Sequence, residues 1–238
     1  MTFAHLELEH GAVQTDYPNE LFRQRVTSRL GSNGKRIDHR VSALLRQIEP
    51  ANGHTYHQLD DPTLIEAIIQ ENIAAVFHDL NVRAYHDEIV RWFRYSDEQA
   101  RRQADGLDYR CMRISAAELK LMRSLPQIMR WPISRGIVRW NYRRQLGGVS
   151  HLGVLSGPFF DDAASIRAGA YLMRFWLELA RHELYIHPFG NLVTNPAAHA
   201  RMRDLTGIDH IWLVFRIGHT DAPPRSYRRS LPEVLVHD

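Results

Sequence analysis

The chain has 238 residues, of which 44% are hydrophobic and 24% are charged. This composition is typical of a globular protein and excludes a long disordered chain, and the length is sufficient for one large hydrophobic core. The net charge of +3 is too small and too dispersed for a nucleic-acid-binding surface, and no apolar run approaches the roughly 20 residues that span a bilayer. We therefore expect neither nucleic acid nor a membrane as a partner.

Cysteine usage and the first residues indicate the compartment. Cys111 is the one cysteine in the sequence, which excludes an internal disulfide and a cluster of thiolate metal ligands. Residues 1–11 lack the basic start and apolar middle of a signal peptide. We therefore expect a cytoplasmic protein.

The first fifth of the chain predicts a strand, two helices and a turn. Alternating residues in MTFAHLELEHGAV predict a short strand. The segment TDYPNELFRQRVTSRL predicts a helix with Thr15 or Asp16 as its N-cap. Asn33-Gly34 then favours a turn with positive φ, and IDHRVSALLRQIEP predicts a second helix that ends at Pro50.

The next segments predict a strand, a long helix and a helical cover. HTYHQLDD has the character of a strand, and DPTLIEAIIQENIAAVFHDL predicts the clearest helix of the chain, with Asp61 as its N-cap and Pro62 in its first turn. Residues 119–144 are rich in Met, Trp, Ile and Arg, and two prolines interrupt any single helix there. We therefore expect a mobile helical lid around residues 91–144.

The C-terminal part predicts two strands and two helices. SHLGVLSGP and IDHIWLVFRIG have strand character, and Asn195 and Pro196 begin a short helix in NPAAHARMRDLTG. DDAASIRAGAYLMRFWLELARHELY predicts a long central helix, since apolar residues occupy much of its circumference: Ile166, Ala170, Met173, Phe175, Trp176, Leu177 and Ala180. No repeat or linker interrupts the sequence, so we expect a single domain over residues 1–238.

Several segments together resemble one known family. AGAYLMRFWLELARHELYIHPFG, AAHARMRDLTG, WLVFRIG and the tail PPRSYRRSLPEVL resemble the C-terminal half of the FMN-dependent nitroreductase superfamily. RVTSR, HTYHQLDDPTLIEAIIQENIAAVFHD and YHDEIVRWFRYSDEQARRQADGL are similar to its divergent branches, which include Acg-like proteins and nitroreductase modules fused to ThiF-like domains. The resemblance implies an α+β fold with a largely antiparallel central sheet wrapped by helices.

The resemblance also implies a set of cofactor-binding residues. Arg228 and Arg229 match the family's terminal arginines, which implies contact with the FMN phosphate; a solvated basic tail is the alternative. RVTSR matches an Arg-x-Thr-x-Arg element, which implies that Arg25, Thr27 and Arg29 also hold the phosphate; a polar helix surface is the alternative.

One further segment, HPFGN, matches the place where the family passes its backbone beneath the flavin. The match implies that Pro188 and Gly190 lie against the ring, and a glycine permits close approach because it has no Cβ. A plain turn is the competing interpretation. The family's usual N-terminal flavin segment, Pro-Ser-x-x-Asn-x-Gln-Pro-Trp, has no counterpart in the sequence. We therefore expect either that a neighbouring subunit completes the pocket or that flavin binding is weakened or lost.

Other chemistry finds little support in the sequence. The 14 histidines include no His-Glu-x-x-His spacing and no accompanying cysteine pair, so we expect no metal site. No catalytic acid, base or nucleophile stands out, because the flavin of such proteins carries the chemistry.

Two functional hypotheses follow. The first is an FMN-dependent oxidoreductase that passes electrons from NAD(P)H to a nitroaromatic, quinone or enone. The second is a catalytically inactive nitroreductase-like module that sequesters flavin or binds partners. The resemblance implies a homodimer in either case, since this superfamily builds its flavin pockets at a subunit interface.

Overall fold

The computed structural model describes residues 17–48, 53–124, 127, 131–230 and 233. The six strands are β1 (Thr55–Leu59), β2 (Phe93–Arg94), β3 (Leu107–Asp108), β4 (His151–Ser156), β5 (Tyr185–Pro188) and β6 (Ile211–Gly218). Helices occupy Asn19–Gln24, His39–Gln47, Pro62–Asn81, Arg83–Arg91, Asp97–Gln103, Tyr109–Met112, Ala116–Met122, Pro132–Gln145, Asp162–Arg181, Asn191–Thr194 and Pro196–Thr206.

Four strands form the central sheet in the order β1-β4-β6-β5, and all neighbours are antiparallel. β6 occupies an inner position and buries seven of its eight residues, as expected for an apolar strand covered on both faces. Thr27 adds a parallel bridge to Ile186 at the β5 edge. β2 and β3 form a separate two-stranded parallel pair.

Helices cover both faces of this sheet. One hydrophobic cluster joins Val154 and Val214 to the helices Pro62–Asn81 and Pro196–Thr206. A second cluster joins Leu155 and Phe215 of the same strands to Phe175 and other residues of the helix Asp162–Arg181. The predicted α+β fold with a largely antiparallel sheet wrapped by helices is confirmed.

The helix caps follow the local sequence signals. The Asp61 side chain accepts a hydrogen bond of 2.7 Å from the Leu64 N–H, and Pro62 opens the helix, as predicted. Asn195 caps the helix Pro196–Thr206 by accepting from the N–H groups of Ala197 and Ala198. Gly34 has φ +77°, which confirms the predicted positive φ, although residues 31–38 run without a regular turn.

Three sequence predictions are wrong. The first helix ends at Gln24, so RVTSR is extended rather than helical, because its backbone pairs with β5: the Ser28 N–H donates to the Ile186 carbonyl at 2.9 Å. In the long helix Asp162–Arg181 the sheet covers one face along the first half, so the predicted core residues Ile166 and Met173 are 68% and 37% exposed, and Ala170 is exposed as well. The first helix begins at Asn19 with Pro18 as its N-cap, so the prediction of Thr15 or Asp16 as the cap is also wrong, because the residue before a proline is kept out of the helical region. The second helix ends at Gln47, just before the predicted end at Pro50. The predicted strand in residues 1–13 lies outside the described residues.

Within the part of the chain that the structure describes, none of the helices has both the length and the apolar character needed to cross a membrane.

Candidate functional site

A cleft of about 810 Å³ opens where β5 ends. One wall is the segment Pro188–Gly190, which runs from β5 into the short helix Asn191–Thr194, and the facing residues come from the helix Pro62–Asn81. Gly190 has helical φ and ψ of −55° and −38°, and a Cβ built there meets no atom within 4 Å. The Gly190 backbone therefore faces open space, where a ligand could approach it closely.

Asp79 fixes this wall. Its carboxylate accepts hydrogen bonds of 2.7 Å from the side chains of Asn191 and Asn195 and lies 3.1 Å from His78 Nδ1. Burial raises the pKa of Asp79, but these three hydrogen bonds outweigh it and leave the pKa below its ordinary value. An ionised Asp79 thereby holds the two asparagines in place beside Gly190.

Arg25, Thr27 and Arg29 lie on the extended segment beside β5. Successive side chains of an extended chain point to opposite sides, so these three share one side while Ser28 is buried on the other. Burial, and then the charge of Arg228, lowers the pKa of Arg25, and its buried Nε has no hydrogen-bond partner. The Arg25 guanidinium stacks 4.5 Å from the ring centre of Trp176.

Arg29 enters the cleft. It lines the cavity together with His187 and Pro188, and among the described residues it has no carboxylate partner. Burial lowers the pKa of Arg29, whereas Tyr142 and Cys111 raise it. Arg25 and Arg29 thus present two guanidinium groups for which the described residues supply no carboxylate partner.

A buried cation lies beside Arg29. Arg216 in β6 is 5% exposed, and it donates to the backbone carbonyls of Gln145, Ser28 and Leu30 at 3.1, 3.3 and 2.7 Å. Burial lowers the pKa of Arg216 to about 10, with a further lowering by Arg29 that Tyr142 opposes. The Arg216 side chain therefore links the extended segment that contains Ser28 and Leu30 to the C-terminal end of the helix Pro132–Gln145.

His187 stands opposite Arg216 in the β5–β6 register and is 7% exposed. Burial, followed by the charges of Arg29 and Arg216, holds the pKa of His187 well below its ordinary value, so the imidazole is neutral. Its Nδ1 is buried without a hydrogen-bond partner.

A second cleft of about 330 Å³ shares Arg29, His187 and Tyr142 with the first. Most of its other lining residues are apolar, and they come from the helix Pro62–Asn81 and from two helices of the predicted lid, Ala116–Met122 and Pro132–Gln145. Arg216 lines this cleft as well. The two clefts therefore meet at Arg29 and His187.

The C-terminal tail lies against the helices Asp97–Gln103 and Tyr109–Met112. Arg101 Nε donates to the Tyr227 hydroxyl at 2.8 Å, and the Arg110 guanidinium lies 4.6 Å from the centre of the Tyr227 ring. Arg229 lies 3.9 Å from Asp105. Arg228 and Arg229 line a third cavity, of about 600 Å³, which contains three further arginines.

The predicted site residues thus fall into two groups. Arg29, Pro188 and Gly190 line the main cleft, whereas Arg228 lies near Arg25 on the outer side and Arg229 pairs with Asp105. Sequence reasoning missed His187 and Arg216. A lone arginine inside the apolar strand WLVFRIG was a signal for Arg216, because a buried charge needs a dedicated set of partners.

The sequence matches no protein-family model and no curated protein. The structure is similar to the FMN-dependent nitroreductase NfnB from Mycobacterium smegmatis, solved in complex with NADPH: the TM-score is 0.57 at 14% identity, over 92% of this chain and 96% of that one. It is also similar to the FMN- and NADPH-dependent nitroreductase NfnB from Sphigopyxis sp. strain HMH, with a TM-score of 0.54 at 18% identity, over 92% of this chain and 97% of that one. The chain has the nitroreductase fold that its sequence resemblance predicted.

Proposed function

We propose that the protein is an FMN-dependent oxidoreductase that passes electrons from NAD(P)H to an electron-poor acceptor such as a nitroaromatic, a quinone or an enone. The observation that carries the proposal is a set of guanidinium groups at Arg25, Arg29 and Arg228 that have no carboxylate partner within the described part of the chain, beside a cleft walled by the Pro188–Gly190 backbone. Nitroreductases of the same fold that bind FMN and use NADPH support it.

The residues fit an elongated anionic cofactor. Arg25, Thr27 and Arg228 would hold the phosphate, because the buried unpartnered Nε of Arg25 and the charge of Arg228 lie together outside the cleft. Arg29 would contact the ring end, since it enters the cleft beside Pro188 and Gly190. Arg229 has a carboxylate neighbour in Asp105, so its role at the phosphate is secondary.

The chain itself would bind, orient and exclude water. Bound FMN supplies hydride acceptance from NAD(P)H and electron release to the acceptor. The hydrogen bonds from Asn191 and Asn195 to Asp79 would hold the backbone around Gly190 in one conformation. The helices of the predicted lid, around residues 91–144, would cover the cleft. We also propose that the chain folds as a single domain and works in the reducing cytoplasm, which is consistent with its one cysteine, Cys111.

A homodimer belongs to the same proposal. Ile166, Ala170 and Met173 recur at helical spacing on one face of the long helix, and this face is exposed although it is apolar. Phe160, just before the helix, is 70% exposed. Burial of this face against a second copy would explain why these apolar residues do not contact the core.

The test is an absorption spectrum of the purified protein followed by titration of the stripped protein with FMN. Bands near the flavin maxima and saturable binding are expected. A colourless protein that cannot be reconstituted with FMN would contradict the proposal and favour the inactive interaction module.

A further inference from the structure

The second cleft combines an apolar mouth with a cationic floor. Leu121, Ile137 and Trp140 form its open side and are 58%, 60% and 63% exposed. The floor consists of Arg29, Arg216 and the neutral His187. Apolar side chains this exposed around a concave site are typical of ligand-binding grooves.

The positive charge of the floor is not neutralised by the protein. Arg216 is satisfied by three neutral carbonyls, and Arg29 has no carboxylate partner among the described residues. Glu118 is the one acid among the described residues that line this cleft; it is exposed, and its carboxylate accepts from the Ser115 N–H at 2.7 Å within a capping box. Its carboxylate is thus engaged by the backbone of its own helix rather than by Arg29 or Arg216.

We infer that this cleft selects planar aromatic acids, whose ring would lie among the apolar walls and whose carboxylate or phenolate would bind Arg29. Arg29 lines both clefts, so its five N–H donors could contact the flavin ring in the first cleft and the acid in the second. This inference rests on the proposed function, which makes the ligand of this cleft an electron acceptor. It narrows the class of acceptor from electron-poor compounds in general to those that carry an anionic group. Arg29 and Arg216 would repel a cationic ligand, whereas the neutral His187 would not. Aromatic cations should therefore bind weakly in this cleft. The cleft volume of about 330 Å³ suits one small ring system.

The test compares 4-nitrobenzoate with 4-nitrobenzamide, which keeps the ring and the nitro group but is neutral. Binding is measured by calorimetry at pH 7 on the FMN-free and the FMN-saturated protein, and quenching of tryptophan fluorescence reports whether the nitro compound reaches Trp140. We expect the acid to bind about tenfold more tightly or better, as one charge-assisted hydrogen bond allows. Arg29→Gln should remove this preference and Arg29→Lys should retain part of it.

Arg135→Gln is the matched control, because Arg135 is an exposed arginine of the helix Pro132–Gln145 that lines neither cleft. This variant should keep the full preference, and Trp140→Phe should lose most of the quenching. Equal affinities for acid and amide, or a preference that survives Arg29→Gln, would overturn the inference. A protein that binds FMN without preferring the acid refutes this inference alone, whereas one that prefers the acid but never binds FMN refutes the proposed function alone.

Discussion

Replacing Arg228 with Gln should weaken FMN binding without destabilising the FMN-free protein. In the FMN-free chain the exposed Arg228 donates to its neighbour's carbonyl, Tyr227 O, at 3.3 Å. Its charge lies near Arg25 and contributes, after burial, to the lowered pKa of that residue. Two cations held together without a counterion repel each other, so the isolated protein gains nothing from Arg228.

The substitution should change the affinity for FMN far more than it changes the stability of the FMN-free protein. A guanidinium–phosphate contact contributes about 1.5–3 kcal/mol, so its loss should raise the Kd for FMN roughly ten- to hundredfold. An exposed substitution away from any structural feature changes the free energy of unfolding by less than about 0.5 kcal/mol. Arg228→Gln should therefore weaken FMN binding while it leaves the free energy of unfolding of the FMN-free protein nearly unchanged.

The assay is a flavin-fluorescence titration at low ionic strength, paired with urea unfolding of the FMN-free protein. Arg225→Gln serves as the control, because Arg225 is an exposed arginine of the same tail and lines none of the three cavities described above. Equal Kd values for the two variants would refute the phosphate role and return Arg228 to a solvated tail. A large loss of stability in Arg228→Gln would refute the account of repulsion.

Three further outcomes are expected. Ile166→Glu should convert the proposed homodimer to monomers in analytical ultracentrifugation, since it places a charge on the exposed apolar helix face; a wild-type protein that is monomeric at every concentration contradicts this. Arg216→Met should lower the free energy of urea unfolding by about 2–4 kcal/mol, because it leaves buried carbonyls without donors, and an unchanged midpoint would show that these bonds are dispensable. Because the pKa of His187 is lowered on folding, its contribution to stability is lost as the pH falls below about 6.5, by up to roughly 1.4 kcal/mol per pH unit. His187→Gln should therefore unfold with a smaller loss between pH 7 and 5.5 than the wild type, and parallel curves would exclude a buried neutral imidazole.

Local signals in the sequence were sufficient for most of the helices and strands. The caps at Asp61 and Asn195, the positive φ of Gly34 and the apolar strand β6 depend on hydrogen bonds and dihedral preferences within a few residues, so the sequence predicts them and the structure confirms them. The resemblance of the C-terminal half to the nitroreductase superfamily then predicted how these helices and strands assemble into the overall fold. The candidate residues Arg29, Pro188 and Gly190 line one cleft, and their contact with FMN stays a prediction.

Long-range pairing decided the rest. RVTSR has no local feature that separates a helix from an extended segment, and its conformation follows from a hydrogen bond to Ile186, about 160 residues later in the chain. The apolar residues of the long helix specify that it packs, but which of them face the sheet depends on its docking angle, so Ile166 and Met173 lie on the exposed side. Arg29, His187 and Arg216 meet because three separate segments pair at the β5–β6 edge. Only that pairing buries the imidazole and brings the two charges near it, and burial first and the charges second lower the pKa of His187 and keep it neutral.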